Sequence, residues 1–155
     1  KKYKTKFIGL RFFTVFGERG RPDMFFFKMI LSVFKNGKLY LNNSGNHYRD
    51  FTYIKDVVII LRKLISLKVK NKYEILNICS SRPVFLKKFI KISEKYLKKI
   101  NIVNVPLHQA DVYKTHGSNT KLLKLIKKIK FTNLNTAIKN TIASYKKDKI
   151  YNQKN

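Results

Sequence analysis

Residues 7–15 are apolar or aromatic apart from Arg11 and Thr14, and Gly17, Gly20 and Pro22 follow at once. A short apolar run closed by glycines predicts a buried strand that empties into a turn. Residues 22–36 carry apolar side chains at 24–27, 29–31, 33 and 34, which predicts a helix opened near Pro22 and stopped by Asn36 and Gly37. Residues 39–41 read as a short strand, and Asn42, Asn43, Ser44 and Gly45 as a turn-rich connector. From Asp56 the apolar positions 57, 60, 61, 64 and 65 recur at helical spacing, and residues 75–78 have strand character. Pro83 opens a helix with apolar positions at 86, 89, 90, 97 and 100, its other face filled with lysine. Residues 102–105 form a further strand, and helices over 119–129 and 133–148 precede a polar tail expected to fray. Strands alternating with helices indicate an α/β domain, and no repeat or linker divides it, so residues 1–155 are expected to form one unit.

Composition narrows the picture. The 155 residues are 44% hydrophobic, enough for one ordinary domain with its own core. No apolar run approaches the roughly 18–20 residues of a membrane span, Lys28 interrupting the best candidate. The lysine-rich start leads into no apolar stretch of signal-peptide length. Cys79 is the one cysteine, so no internal disulfide can form, and a reducing cytoplasm is the expected compartment. The net charge of +27 would ordinarily place nucleic acid first among partners. Yet only six of the 35 basic residues are arginine, and the lysines are scattered along the chain rather than gathered on one arm. A solvated basic surface is the expectation, and a specific nucleic-acid role the rival reading.

The candidate chemistry lies in two blocks. Arg19 and Arg21 sit in the glycine turn after the first strand, where planar donor forks suit phosphate or carboxylate oxygens. Arg49 stands in a second turn, directly before Asp50 and an aromatic-rich stretch. His47, His108 and His116 show no metal-ligand spacing, and a zinc site is not expected. Tyr145 and Lys149 have the spacing of a catalytic tyrosine–lysine pair, but that match is expected by chance in so lysine-rich a chain and falls in the terminal helix. It is assigned no catalytic role.

Four segments carry a family resemblance. They are residues 9–24, residues 43–56 with Arg49-Asp50-Phe51-Thr52-Tyr53-Ile54 at their centre, residues 76–84, and more weakly residues 105–112. Together they resemble the C-terminal half of extended short-chain dehydrogenase/reductases of the NAD-dependent epimerase/dehydratase family, nearest to the UDP-glucuronate 4-epimerases. The resemblance implies the last strands and helices of a Rossmann sheet plus the small sugar-nucleotide-binding domain. It also implies NAD as cofactor and a UDP-sugar as substrate, with hydride leaving sugar C4 and returning to its other face, in surface-polysaccharide synthesis. Neither the glycine-rich dinucleotide turn nor the catalytic tyrosine–lysine pair of that family is present. The expectation is therefore an inactive C-terminal fragment whose partner is a missing N-terminal half or a second copy. A UDP-glucuronate decarboxylase or a nucleotide-sugar 4,6-dehydratase of the same fold is the near alternative.

The resemblance assigns roles residue by residue. Thr14 would meet the uronate carboxylate, although a strand-end threonine can equally bond its own backbone. Phe13 would line the nicotinamide pocket or serve as core. Arg21 would bind substrate or remain a surface charge. Arg49 would clamp the UDP diphosphate, unless Asp50 or Asp56 claims it as a structural partner. Asp111 would accept ribose hydroxyls, with His108 at the pocket edge and Ala110 and Gln109 departing from the family's loop. Arg11, Thr14, Arg21, Arg49 and Asp111 are expected to face one concave region. Phe16, Glu18, Lys55 and Asn119 also depart from the pattern, and Glu18 is expected to weaken phosphate binding by like-charge repulsion.

Overall fold

The computed structural model describes residues 5–68, 72–107, 109, 111–127 and 129–149. The apolar run at 7–15 forms two strands, β1 (Phe7–Phe12) and β2 (Thr14–Phe16). Between them the Val15 N–H donates to the Phe13 carbonyl at 2.8 Å, a three-residue turn that re-aims the chain. The strand changes partner there: β1 runs parallel to β6 (Tyr73–Ile78), whereas β2 runs parallel to β5 (Phe51–Tyr53). β3 (Leu39–Asn42) pairs in parallel with β8 (Ile102–Val105), and β4 (Tyr48–Arg49) lies antiparallel to β7 (Val84–Phe85). Strands of two or three residues are too short to show alternation, which is why β4, β5 and β7 were not expected.

Among the described residues five α-helices complete the α/β fold: α1 (Phe25–Phe34), α2 (Ile54–Ile65), α3 (Leu86–Glu94), α4 (Thr120–Ile126) and α5 (Leu134–Lys147). α1 starts three residues after Pro22, because the Met24 N–H closes a turn on the Arg21 carbonyl first. It ends as the pattern indicated. Asn36 takes φ 49°, its N–H reaches the Val33 carbonyl, and the Gly37 N–H reaches the Ser32 carbonyl at 2.7 Å, the paired bonds of a Schellman stop. α3 is shorter than its apolar spacing suggested, and Leu97 and Ile100 are buried from the segment that follows it.

Two apolar clusters divide the interior. One is aromatic: Phe26 and Phe16 meet edge to face at 5.4 Å, Phe26 meets Phe89 at 5.1 Å, and Phe51 stacks on Phe89 at 4.1 Å. Aromatic pairs in these geometries add about 0.5–1.5 kcal/mol each beyond their burial. The second joins Val57, Ile60 and Leu64 of α2 to Leu76 and Ile78 of β6 and Leu122 and Ile126 of α4. Ile54, at the start of α2, packs against both.

β1 departs from the buried strand expected of it. Phe7 is 58% exposed and Phe12 51%. Alternation sends Ile8 and Leu10 toward the α2–α4 cluster, while Phe7, Gly9 and Arg11 occupy the opposite face, where Tyr73 is also exposed. Among the described residues β1 pairs only with β6, so its outer edge is open. An apolar strand with an open edge and an uncovered face invites pairing with another chain.

Candidate functional site

Thr14, Arg49 and Asp111 line one open cavity of about 890 Å³. Thr14 follows the turn that ends β1, Arg49 closes β4, and Asp111 lies in the loop after β8. Asn42, the last residue of β3, lines the same cavity. Since β3 and β8 run in parallel, their carboxyl ends open on one side, the position where α/β sheets place ligands.

Arg49 is held by backbone and not by the aspartates nearest in sequence. Its Nη1 donates to the Tyr48 carbonyl at 2.9 Å and the Tyr113 carbonyl at 3.4 Å. Nη2 lies 3.9 Å from Asp111 Oδ1, a loose ion pair, while Asn42 Nδ2 donates to Asp111 Oδ2 at 2.7 Å. Asp50 is engaged elsewhere. Fully buried, it accepts from Ser80 N at 3.0 Å, Ser80 Oγ at 2.7 Å and Gly117 N at 3.1 Å. Asp56 accepts from Thr132 N at 2.9 Å and Thr132 Oγ1 at 2.6 Å. With both carboxylates committed, the Arg49 guanidinium keeps donors for a ligand. Burial holds it below the ordinary arginine value against the opposing pull of Asp111, and it stays cationic. Lys28, Lys35 and Lys38 add positive charge to the wall, against Asp23 and Asp111.

The other expected residues lie outside the lining. Arg21 binds Asp23 through Nε at 3.0 Å and Nη2 at 2.5 Å, and it is Asp23 that lines the cavity. Arg11 belongs to the uncovered face of β1. Phe13 is half-buried, its ring and the Cys79 sulfur both crowding Gly117: a Cβ there would meet Phe13 Cζ at 2.6 Å and Cys79 Sγ at 2.5 Å. His108 and Ala110 lie outside the described residues, and so do residues 150–155 of the tail.

Glu18 does not stand as a free negative charge beside the cavity. Its Oε1 accepts from the Tyr53 hydroxyl at 2.6 Å and pairs with Lys55 Nζ at 2.9 Å. Burial raises its pKa, but the bonds from Tyr53 and Lys55 outweigh that and leave it below the usual carboxylate range. The acid at 18 and the base at 55, both departures from the resembled pattern, neutralise each other.

His47 was weighed only as a metal ligand, and the histidine expected at the pocket edge was His108. His47 lines the cavity, is 3% exposed, and its Nε2 is buried without a hydrogen-bond partner. Its place two residues before Arg49, on the same side of an extended segment, was the available signal. Among the described residues no group of three His, Cys, Asp or Glu could hold a metal ion.

A model described as the NAD dependent epimerase/dehydratase family matches residues 1–79, half of the chain. The chain belongs to the NAD-dependent epimerase/dehydratase family. It is 46% identical over 126 residues to an uncharacterised protein of Methanocaldococcus jannaschii, covering 80% of this chain and 38% of that one. It is 34% identical over 119 residues to UDP-glucuronate 4-epimerase of Thermodesulfobacterium geofontis, covering 76% of this chain and 36% of the relative. The solved UDP-glucuronic acid 4-epimerase of Bacillus cereus, in complex with UDP-glucuronic acid and NAD, matches with a TM-score of 0.82 at 25% identity, over 89% of this chain and 44% of that one. The chain thus spans less than half the length of each.

In the one glycine turn between a strand and a helix, the Gly20 N–H is already taken by the Tyr145 hydroxyl at 3.0 Å. Gly17, at φ +149°, faces Ile54, whose Cγ2 would lie 2.1 Å from an added Cβ. That turn therefore closes on the protein's own side chains, although the first turn of α1 carries no side-chain cap.

Proposed function

We propose that this chain is the UDP-sugar-binding portion of a nucleotide-sugar epimerase, acting on UDP-glucuronate at C4, and that the NAD-binding portion lies outside it. One observation carries the reading: an arginine released from both neighbouring aspartates shares a cavity with Thr14 and Asp111. In it Arg49 grips the diphosphate, whose oxygens match its planar fork. Asp111, already oriented by Asn42, accepts from the ribose, and the Thr14 hydroxyl donates to the sugar carboxylate. Arg21 stands at the rim through Asp23. By itself the chain binds and orients the nucleotide sugar and turns nothing over. The relatives named for UDP-glucuronate 4-epimerisation support that reaction over decarboxylation of the same substrate or dehydration of another nucleotide sugar. Specific nucleic-acid binding has less support, since exposed lysines occur on α2, α3, α4 and α5 alike rather than on one face.

Titration calorimetry tests the reading. The chain is expected to bind UDP and UDP-glucuronate, and uridine far more weakly. Arg49→Lys should weaken UDP about tenfold through loss of the bidentate fork. Thr14→Ala should narrow the preference for UDP-glucuronate over UDP-glucose. Equal affinity for UDP and uridine would show that the cavity does not read phosphate.

A further inference from the structure

Among the described residues of the cavity wall, His47 Nε2 is a buried polar atom without a hydrogen-bond partner, and the proposed contacts do not use it. The residue is 3% exposed, and its backbone carbonyl accepts from Leu86 N at 2.8 Å at the junction of β7 and α3. A buried donor or acceptor left unpaired costs stability, so such an atom needs a partner that the protein itself does not provide. Arg49 and Asp111 line the same cavity, and both act on the imidazole electrostatically. Burial and the Arg49 charge lower the imidazole pKa, and Asp111 opposes them only in part, so the ring is neutral at pH 7 and one nitrogen accepts while the other donates. A phosphate oxygen only accepts and so suits Nε2 in one tautomer alone, whereas a hydroxyl both donates and accepts and pairs with the ring in either.

We infer that His47 is a nucleotide-positioning residue whose Nε2 pairs with a ribose hydroxyl of the bound UDP, on the opposite side of that ribose from Asp111. This rests on the reading of the cavity as a UDP-sugar site. It assigns discrimination between ribose and deoxyribose nucleotides to two side chains rather than one, with Arg49 between them holding the diphosphate.

The test compares UDP with 2′,3′-dideoxy-UDP on the full chain, its His47→Leu variant and its His47→Gln variant. If Nε2 serves a hydroxyl, His47→Leu weakens UDP about tenfold and leaves dideoxy-UDP unchanged, and His47→Gln restores part of the loss. In the unmodified chain the ¹⁵N resonance of His47 Nε2 shifts on addition of UDP and not of dideoxy-UDP, a readout that does not depend on a variant folding. Equal weakening of both ligands, or a stationary Nε2 resonance, overturns the assignment while leaving the nucleotide site standing. If the unmodified chain binds neither ligand, the site reading falls and this inference with it.

Discussion

Asp50→Asn changes one oxygen to an amide nitrogen in a fully buried junction, and its consequence can be worked out from three bonds. Oδ1 accepts from both the N–H and the hydroxyl of Ser80, and Oδ2 accepts from the Gly117 N–H. The amide keeps its oxygen on Ser80, where two donors await it, so its NH₂ is turned toward the Gly117 N–H and donor faces donor. One charge-assisted bond is lost at about 1.5–3 kcal/mol, and the two that remain weaken to neutral strength, for a total of about 3 kcal/mol. Gly117 cannot back away, because Phe13 and Cys79 already crowd it. In urea, with a slope of about 1.5 kcal/mol/M for a chain of this size, the midpoint followed by circular dichroism should fall by about 2 M. Asp50→Ala should fall further. Because Arg49 precedes Asp50, UDP affinity should drop in Asp50→Asn even under conditions where the variant stays folded. A midpoint within about 0.5 M of the parent would mean that this junction does not hold the fold together, and the argument would fail.

Burial, with the Asp50 charge beside it, pushes the Cys79 thiol up to about 11, so it should stay unreactive toward a disulfide reagent at pH 8 until the protein unfolds; rapid labelling of the native state would contradict this. Glu18, held below the usual carboxylate range, contributes stability that is complete above its unfolded value and lost as pH falls through its folded one. Thermal melts of Glu18→Gln should therefore show a flatter acid limb than the parent, and parallel limbs would refute the pairing with Tyr53 and Lys55. Phe7→Lys, on the open face of β1, should reduce self-association in sedimentation velocity while changing stability by no more than about 0.5 kcal/mol. Unchanged association would show that this face is not adhesive.

Local order was readable because local forces set it. Helical spacing at 57, 60, 61 and 64 marked α2, and the Asn36–Gly37 stop of α1 was visible in two residues, since both depend on neighbours a turn away. The family was readable too, through four short segments in order. The partner switch at Phe13 was not. It depends on β5 and β6, which lie tens of residues downstream, and no periodicity within residues 7–15 encodes a change of neighbour.

The site divides along the same line. Residue identity by itself established which side chains could grip a diphosphate, because only a guanidinium carries that fork and only six are present. Tertiary structure decided where the expected ones stand: Arg21 is bound by Asp23, Arg11 lies on an open sheet face, and Arg49 lines the cavity while Ser80, Gly117 and Thr132 occupy the aspartates nearest to it in sequence. Availability is a property of partners brought from distant parts of the chain. It exists only once the chain has folded.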